Sequence, residues 1–349
     1  MKLLDRQIVR KREMRGILIT VVTICLFLGS PQASRAQRAT RVVIGYSALQ
    51  APMAPLWIAK EQGFFAHYRI DPDLVFVRTT SVLIAGLVSG SIEMTYTGGS
   101  GALSATRNGV DLRFIAAFGN RVTHVLVTHP EIQKASDLRE RRIGVVSMGG
   151  TQWITTKLGL EYLGLDEQRD KIQIVAIGDQ TVLRTALERR SIDGAFFNGV
   201  MAEDLKQKGY RILVDLSAAS IQSVFSGVVV KKSFLQKNRE LTTNVLKALI
   251  EGLAFVVSPG RKGLVTKALT EHLKISASSA ELGYRYLLKD LDVNFYPSIK
   301  GLQNLQRFIQ NYDPQIAEVK VNELIDSSIL RSLEESGFIQ KVFSTYGVK

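Results

Sequence analysis

The chain has 349 residues, 46% of them hydrophobic, and carries a formal net charge of +13. The length favours about two domains, and the apolar content excludes an intrinsically disordered chain. Its basic residues are scattered rather than grouped with aromatic residues, so we do not expect nucleic-acid binding.

The first 36 residues are typical of a secretory signal peptide. Six basic residues precede an apolar segment at positions 16–29, and Ser34 and Ala36 place small residues at the two positions that matter for cleavage before Gln37. We therefore predict a cleaved signal over residues 1–36 and an exported mature protein. An uncleaved membrane anchor is the alternative, because the chain before the apolar segment is rather long.

The only cysteine, Cys25, lies inside the apolar segment of the signal. The residues around it do not resemble a lipoprotein acylation site, which needs a small residue just ahead of the cysteine. The mature chain is therefore expected to contain no thiol, no disulfide and no thiolate metal site.

Hydrophobic periodicity predicts alternating strands and helices, followed by a helical region from residue 233 on. Strands are predicted at residues 42–46, 74–77, 112–118, 124–128, 143–147, 195–198 and 211–216. Helices are predicted at residues 56–62, 101–107, 155–163, 203–209, 240–256, 262–273, 278–289, 302–312 and 321–333. Asp71 and Pro72 are expected to break the chain before the second strand. Residues 124–128 and 227–230 are predicted to cross between two halves of the molecule.

One stretch, residues 74–100, contains a complete strand–helix–strand unit. The apolar residues of its central segment fall on one helical face. Gly90 is placed to end that helix, because glycine adopts the left-handed conformation needed past a helix C-terminus. The glycine-rich loop at residues 97–100 follows the second strand. Ligands of open α/β sheets bind at the carboxyl ends of strands, so this loop is predicted to face a ligand.

The same unit returns at residues 174–200, where it aligns without a gap. Glu93 corresponds to Asp193 in this alignment, and upstream residues 41–47 face residues 141–147 at the same offset. One duplication is too short for a solenoid. It predicts instead two similar α/β lobes with a site between them, and chance similarity between two ordinary strand–helix–strand units is the alternative.

No catalytic or metal-binding motif is evident in the sequence. It has no G-x-S-x-G elbow, no Walker A motif and no G-x-G-x-x-G after the first strand. None of the histidines is paired with another residue at a metal-ligand spacing. We therefore expect no enzymatic activity, no cofactor and no metal site. The histidines are His67, His124, His129 and His272.

Two pairs of residues occupy equivalent places in the two copies. Glu93 and Asp193 each lie between a helix end and an inner strand. This equivalence predicts a shared structural role, such as binding backbone amides, rather than an acid–base pair. Trp57 and Trp153 each begin a helix and are predicted to be core residues rather than platforms that stack on a ligand.

Three segments together resemble the solute-binding proteins of ABC importers. They are PLWIAKEQGFF at residues 55–65, LVSGSIE at residues 87–93 and DLRERRIGV at residues 137–145. The branch they resemble is the nitrate/sulfonate/taurine and thiamine-precursor group. The resemblance extends over residues 42–270.

This resemblance implies an α/β type II periplasmic-binding-protein fold, with two lobes joined by two crossover segments. Lobe 1 would comprise residues 37–125 and 229–349, including the C-terminal helices, and lobe 2 would comprise residues 126–228. A hinge motion about the crossovers would close the lobes on a ligand.

The function implied is that of a monomeric periplasmic protein which captures a small polar organic solute between its lobes. It would deliver this solute, of sulfonate, carboxylate, amine or pyrimidine type, to an ABC permease in the inner membrane. No cofactor is implied.

The residues that match the family's cleft loops are mostly uncharged, which fits a small polar ligand held by hydrogen bonds. From lobe 1 they are Gln50, Thr79, Thr80, Thr97, Gly98 and Ser100, and from lobe 2 they are Gly149, Gly150, Thr151, Asp179 and Asn198. No arginine is expected to face the cleft. Asp179 is also placed to cap the helix that follows it.

Two other functions belong to the same fold. A ligand-sensing module for a membrane receptor would have the same pocket. A relative that makes a thiamine pyrimidine is an enzyme, but its chemistry is associated with a cysteine-rich motif. The mature chain has no cysteine, so we expect a binding protein.

Overall fold

The computed structural model describes residues 39–348. The signal peptide predicted over residues 1–36, with Cys25, lies outside the described residues. Within residues 39–348 no single helix is long and apolar enough to span a bilayer. The helix pair Arg239–Val257 and Pro259–Leu273 reaches that length and composition only across an 87° bend.

Strands and helices alternate as far as residue 231, and helices follow from there, as the sequence predicts. The strands are β1 (Thr40–Tyr46), β2 (Ile70–Phe76), β3 (Met94–Thr97), β4 (Leu112–Arg121), β5 (Val125–Thr128), β6 (Arg142–Val145), β7 (Gln173–Ala176), β8 (Gly194–Phe197), β9 (Arg211–Asp215) and β10 (Gln222–Lys231).

The helices connect these strands and then form the C-terminal region. They are α1 (Ala54–Glu61), α2 (Phe64–His67), α3 (Thr80–Ser89), α4 (Ser100–Arg107), α5 (Thr151–Tyr162), α6 (Gln180–Glu188), α7 (Gly199–Gln207), α8 (Lys232–Lys237), α9 (Arg239–Val257), α10 (Lys262–Leu273), α11 (Ala277–Asp290), α12 (Ile299–Gln310), α13 (Ser328–Glu335) and α14 (Phe338–Thr345). Short 3-10 helices lie at Ala51–Met53, Ala135–Leu138, Leu216–Ala218, Pro259–Arg261, Pro314–Glu318 and Val321–Leu324.

The first sheet has the strand order β2-β1-β3-β10-β4. β1 is parallel to β2 and β3, whereas β10 is antiparallel to both β3 and β4. Apolar residues of α1 and α9 pack on this sheet and form a large hydrophobic core with it. Trp57 is only 1% exposed in that core, which confirms the prediction that it is a core residue. Trp153 is also buried, in a second core that includes α5 and α12.

The second sheet has the equivalent order β7-β6-β8-β5-β9. The chain passes from the first sheet to the second at residues 122–124 and returns at residues 216–221. The prediction that the chain returns at residues 227–230 is wrong, because those residues are paired on both sides within β10. An apolar run indicates a buried strand, but it does not tell to which sheet the strand belongs.

Asp71 and Pro72 lie inside β2, so the prediction that they break the chain before this strand is wrong. β2 is an edge strand and pairs only with β1 among the strands of its sheet. A proline is tolerated at such an edge because its missing N–H does not remove a ladder hydrogen bond on the outer side.

The opening strands of the two copies pair in registers that differ by one residue from the predicted alignment. In the first sheet Ile44 pairs with Met94, and in the second Ile143 pairs with Gly194. The helices keep the predicted offset, but the opening strands are shifted by one residue from it. A one-residue slip exchanges the two faces of a strand, so Gly45 corresponds to Gly144 rather than to Val145.

The C-terminal helices pack on both halves of the molecule. α12 contacts β10 and α4 on one side and α5 on the other. The single helix predicted at residues 321–333 is wrong, because Ile325 forms an isolated bridge with Phe114 and separates a 3-10 turn from α13. The Asp326 Oδ1 then accepts the backbone N–H of Ser328 at the start of α13.

Candidate functional site

A cavity of ≈ 90 Å³ lies where loops at the carboxyl ends of strands from the two sheets meet, and we call it the first cavity. Most of its lining side chains are polar and uncharged. The first sheet and its loops contribute Ser47, Ala48, Gln50, Met53, Arg78, Thr79, Thr80, Tyr96, Thr97, Gly98 and Phe225, and the second contributes Val146, Ser147, Gly150, Thr151 and Gln152.

A cluster of hydroxyl groups forms one wall of the first cavity. The Ser47 Oγ lies 2.7 Å from the Thr97 Oγ1 and 3.5 Å from the Thr80 Oγ1. Thr79 is the N-cap of α3, and its Oγ1 accepts the backbone N–H of Val82. Hydroxyl groups both donate and accept hydrogen bonds, so this wall can bind a polar ligand of either kind.

Gln152 holds the opposite wall in place. Its Oε1 accepts the Val146 backbone N–H at 3.0 Å, and its Nε2 donates to the Phe196 carbonyl at 3.1 Å. The side chain therefore ties α5 to the ends of β6 and β8. Both of its polar groups are satisfied by the protein, which indicates a positioning role at the edge of the first cavity.

Two helices begin at this place with no side chain capping them. The N-cap residues are Gly99 for α4 and Gly150 for α5, and neither terminus has a side-chain cap. The first N–H groups of a helix have no partner within the helix, and the helix dipole favours negative charge there. Only the start of α5 lines the first cavity, through Gly150 and Thr151, and it favours an anionic or hydrogen-bond-accepting group there.

The same two helix starts touch each other beside the cavity. The Ser100 Oγ and the Thr151 Oγ1 are 3.0 Å apart, and both residues are buried. A Cβ atom at Gly98 would come closer to the Thr151 side chain than real Cβ atoms approach a neighbour. Glycine at this position therefore permits the close approach of the two sheets' loops.

Arg78 lines the first cavity, which corrects the expectation that no arginine faces the cleft. Its guanidinium lies 3.4 Å from the Asp179 carboxylate, and its side chain is 80% exposed. Asp179 also caps α6, since its Oδ1 accepts the backbone N–H groups of Thr181 and Val182. This exposed ion pair joins the loop before α3 to the loop before α6.

A second, larger cavity of ≈ 430 Å³ adjoins the first, because Gln50 lines both. We call it the second cavity. It lies between the loop after β1, the starts of α6 and α7, and the C-terminal helices α10 and α11. Asn198 lines it and caps α7, since its Oδ1 accepts the Met201 backbone N–H at 3.0 Å.

The structure brings most of the predicted ligand-binding residues together. Those lining the first cavity are Gln50, Thr79, Thr80, Thr97, Gly98, Gly150 and Thr151. The other four do not line it. Ser100 is buried against Thr151, and Gly149 adopts a left-handed backbone conformation with φ +72° next to Tyr312. Asp179 caps α6, and Asn198 lines the second cavity. That these residues bind a ligand stays a prediction.

Sequence reasoning missed several lining residues. Ser47 and Ser147 follow β1 and β6 closely, so the rule that ligands bind at strand ends could have selected both. Phe225 had no such signal, because it reaches the cavity from β10, far along the chain. The missed residues with polar side chains are Ser47, Arg78, Tyr96, Ser147 and Gln152.

Glu93 and Asp193 have the shared structural role that their equivalent positions predict. The Glu93 Oε2 accepts the Val43 backbone N–H, and the Asp193 Oδ2 accepts that of Arg142, both at 2.8 Å. Burial raises the pKa of Asp193, but hydrogen bonds from Arg142 outweigh it and hold the pKa below its ordinary value. Each carboxylate therefore ties the turn before an inner strand to the neighbouring strand.

Comparison with protein families identifies one match. The family described as NMT1/THI5 like matches residues 50–260, which is more than half of the chain. This confirms the family resemblance drawn from the sequence. A search of curated proteins by sequence found no match.

Solved structures of periplasmic binding proteins are similar to this chain. The periplasmic aliphatic sulphonate binding protein SsuA from Escherichia coli has a TM-score of 0.67 and 17% identity, over 82% of this chain and 92% of that chain. The periplasmic nitrate-binding protein NrtA from Synechocystis PCC 6803 has a TM-score of 0.66 and 13% identity, over 85% and 89%. The ligand-binding component of an ABC-type import system from Staphylococcus aureus has a TM-score of 0.68 and 13% identity, over 84% and 98%. The predicted periplasmic-binding-protein fold is thus confirmed.

Proposed function

The chain belongs to the NMT1/THI5-like family, and from this premise we propose that it is a periplasmic solute-binding protein which delivers a small polar solute to an ABC permease. The two sheets with their helices act as two lobes, and the solute binds in the first cavity. The protein binds the solute as a monomer and does not transform it.

The observation that carries this proposal is the composition of the first cavity and its place between the two sheets. Hydroxyl groups line one side, and the start of α5 lines the other. A ligand there contacts both lobes at once, so its binding energy favours the closed arrangement of the lobes. Such hinge closure around a ligand is typical of periplasmic binding proteins.

The charge around the first cavity supports an anionic group on the solute. Arg78 is the cation in its lining, and α5 begins there without a capping side chain. Helix N-termini are ready-made anion sites, and a guanidinium suits an oxyanion. The similar structures that are named for sulphonate and nitrate binding agree with an oxyanion as the recognised group.

A thermal-shift screen of the purified protein against alkanesulfonates, carboxylates, amino acids and pyrimidines tests this proposal. A ligand that binds only the folded state raises the melting temperature by mass action. We expect a saturable rise with a small sulfonate or carboxylate, and recovery of the compound unchanged by chromatography.

Two isosteric variants of β3 make the screen specific for the first cavity. Thr97→Val removes a hydroxyl that lines the cavity, whereas Thr95→Val removes a buried hydroxyl of the same strand that bonds the Val229 carbonyl. We expect Thr97→Val to reduce the ligand-induced shift and Thr95→Val to retain it. Equal shifts in both variants, or turnover of any compound, would contradict the proposal.

A further inference from the structure

The lining of the second cavity combines apolar and polar side chains and includes two acidic residues, Asp204 and Asp290. Leu273 and Ile275, at the end of α10, supply apolar surface on one side, and Val200 of α7 supplies it on the other. Its volume of ≈ 430 Å³ falls in the range of small-molecule sites, roughly 300–1,000 Å³. Asp290, the last residue of α11, lies in its lining.

The surroundings of Asp290 disfavour the charged form of its side chain unless a positive charge lies beside it. Its Oδ1 is buried and has no hydrogen-bond partner among the described residues. It sits at the C-terminus of a 14-residue helix, where the helix dipole disfavours negative charge. Burial accordingly raises the pKa of Asp290 to about 7, although a hydrogen bond from Thr123 opposes the shift.

The charged groups near Asp290 leave its carboxylate uncompensated. The cationic side chain in the cavity lining, Arg184, already pairs with Glu188 at 3.2 Å and Asp204 at 3.0 Å. Lys289 and Arg121 attract the Asp290 carboxylate, but Asp215 repels it, and the Lys289 Nζ lies over the Tyr286 ring. No salt bridge to Asp290 occurs within residues 39–348.

We propose that the second cavity binds an organic cation, a protonated amine on a small apolar body, with Asp290 as its counter-ion. The amine satisfies the unpartnered Oδ1, and the apolar body replaces water against the walls formed by Leu273, Ile275 and Val200. Residues 39–348 contain no group of three acidic, histidine or cysteine side chains suited to a metal ion, which favours an organic cation. This site goes beyond the proposed function, which concerns an anionic group in the first cavity.

Three probes with the same ring separate charge from shape. They are cyclohexylamine, cyclohexanol and cyclohexanesulfonate, titrated into the purified protein by calorimetry in phosphate buffer at a pH above the pKa of Asp290. We expect saturable binding of cyclohexylamine. Cyclohexanol should bind more weakly than cyclohexylamine by a factor of roughly ten or more, because a charge-assisted hydrogen bond is lost.

Two charge-matched variants locate the effect. Asp290→Asn keeps the shape of the side chain and removes its charge, whereas Asp73→Asn removes one charge from a carboxylate that pairs with Arg41 outside both cavities. We expect Asp290→Asn to weaken cyclohexylamine binding by roughly tenfold or more, and Asp73→Asn to change it little. A thermal melt establishes that each variant is folded.

Several outcomes would overturn the inference without touching the proposed function. They are the absence of saturable amine binding, equal amine binding by wild type and Asp290→Asn, and a loss in Asp73→Asn as large as that in Asp290→Asn. A loss of cyclohexanesulfonate binding as large as that of the amine in Asp290→Asn would also overturn it. Sulfonate binding that depends on Thr97 but not on Asp290 would leave the first cavity's proposed role intact.

Discussion

His124 is a buried polar residue at the passage from the first sheet to the second. His124 is 3% exposed, and neither ring nitrogen has a hydrogen-bond partner within the described residues. Its ring packs against Phe225, with centroids 4.8 Å apart. Burial lowers the pKa of His124 to about 4, because the charged imidazolium would lose its hydration. His124 is therefore neutral in the folded protein at neutral pH.

We predict that His124→Phe makes the protein less sensitive to acid. Between the ordinary pKa of 6.5 and about 4, the unfolded chain binds a proton that the folded protein does not, so stability falls as the pH decreases through this window. The loss is about 3 kcal/mol at most. Urea unfolding of wild type and variant at pH 8 and pH 4.5 measures it.

The control is His67→Gln, because the His67 side chain is 66% exposed. We expect the wild type to lose more stability than His124→Phe between the two pH values, and His67→Gln to behave as the wild type. Identical acid losses in wild type and His124→Phe would show that another group controls the response.

At the scale of elements, the duplicated unit is the part of the fold that the sequence predicts well. Its strand–helix–strand order and the equivalence of Glu93 and Asp193 follow from residue pattern alone. The one-residue slip of the opening strands does not follow, because short apolar runs align equally well in either register. Only pairing with the neighbouring strand fixes which face is buried.

The residues that line the two cavities also include some that the sequence predicts and some that it does not. Thr97 at the end of β3 and Thr151 at the start of α5 could be selected from sequence, because strand ends and helix starts leave local patterns. Arg78 could not be assigned to the cavity, since an exposed arginine before a helix has no distinctive pattern. Asp290 could not be found either, because the cavity it lines is formed by helices that meet only in the folded molecule.

Gly45 in β1 and Gly144 in β6 are equivalent glycines of the two copies. A Cβ at Gly45 would collide with Leu83, and one at Gly144 would collide with Leu183 and Ile192, so helix and strand approach closely in both copies. We expect Gly45→Ala and Gly144→Ala each to lower the free energy of unfolding by about 1–3 kcal/mol through overpacking. Chemical denaturation measures the change.

Gly263 in α10 is the matched control, since no atom lies within 4 Å of a Cβ built there. Gly263→Ala is expected to leave stability unchanged or to raise it by up to about 1 kcal/mol, because alanine favours the helix. A neutral effect of Gly45→Ala together with a large loss in Gly144→Ala would contradict the equivalence of the two positions.

At the scale of the whole molecule, contacts join the two halves at two places, beside the first cavity and at the far end of α5. Ser100 meets Thr151, Arg78 pairs with Asp179, and Arg307 of α12 binds the Glu161 carboxylate through two nitrogens at 2.7 and 2.8 Å. The Arg307–Glu161 pair lowers the pKa of Glu161 below its ordinary value. Exposed ion pairs contribute little to stability, so the Arg78–Asp179 pair can exchange its partner for a ligand at low cost.

We predict that Arg78→Gln weakens binding of an anionic solute by roughly tenfold, because a charge-assisted hydrogen bond to the solute is lost. Titration calorimetry with the sulfonate or carboxylate identified in the screen measures the change. Arg41→Gln is the control, since Arg41 also forms an exposed pair with an aspartate, Asp73, but lies outside both cavities. Equal losses in both variants would indicate a general effect of charge rather than contact with the solute.

In the proposed function, the first cavity binds the anionic group of a small solute between the two lobes. A crystal structure of the protein with ethanesulfonate tests it most directly. We predict sulfonate oxygens within hydrogen-bond distance of the Arg78 side chain, the Thr97 hydroxyl and the first backbone N–H groups of α5. A sulfonate bound away from these groups, or a first cavity without sulfonate at saturating concentration, would contradict the claim.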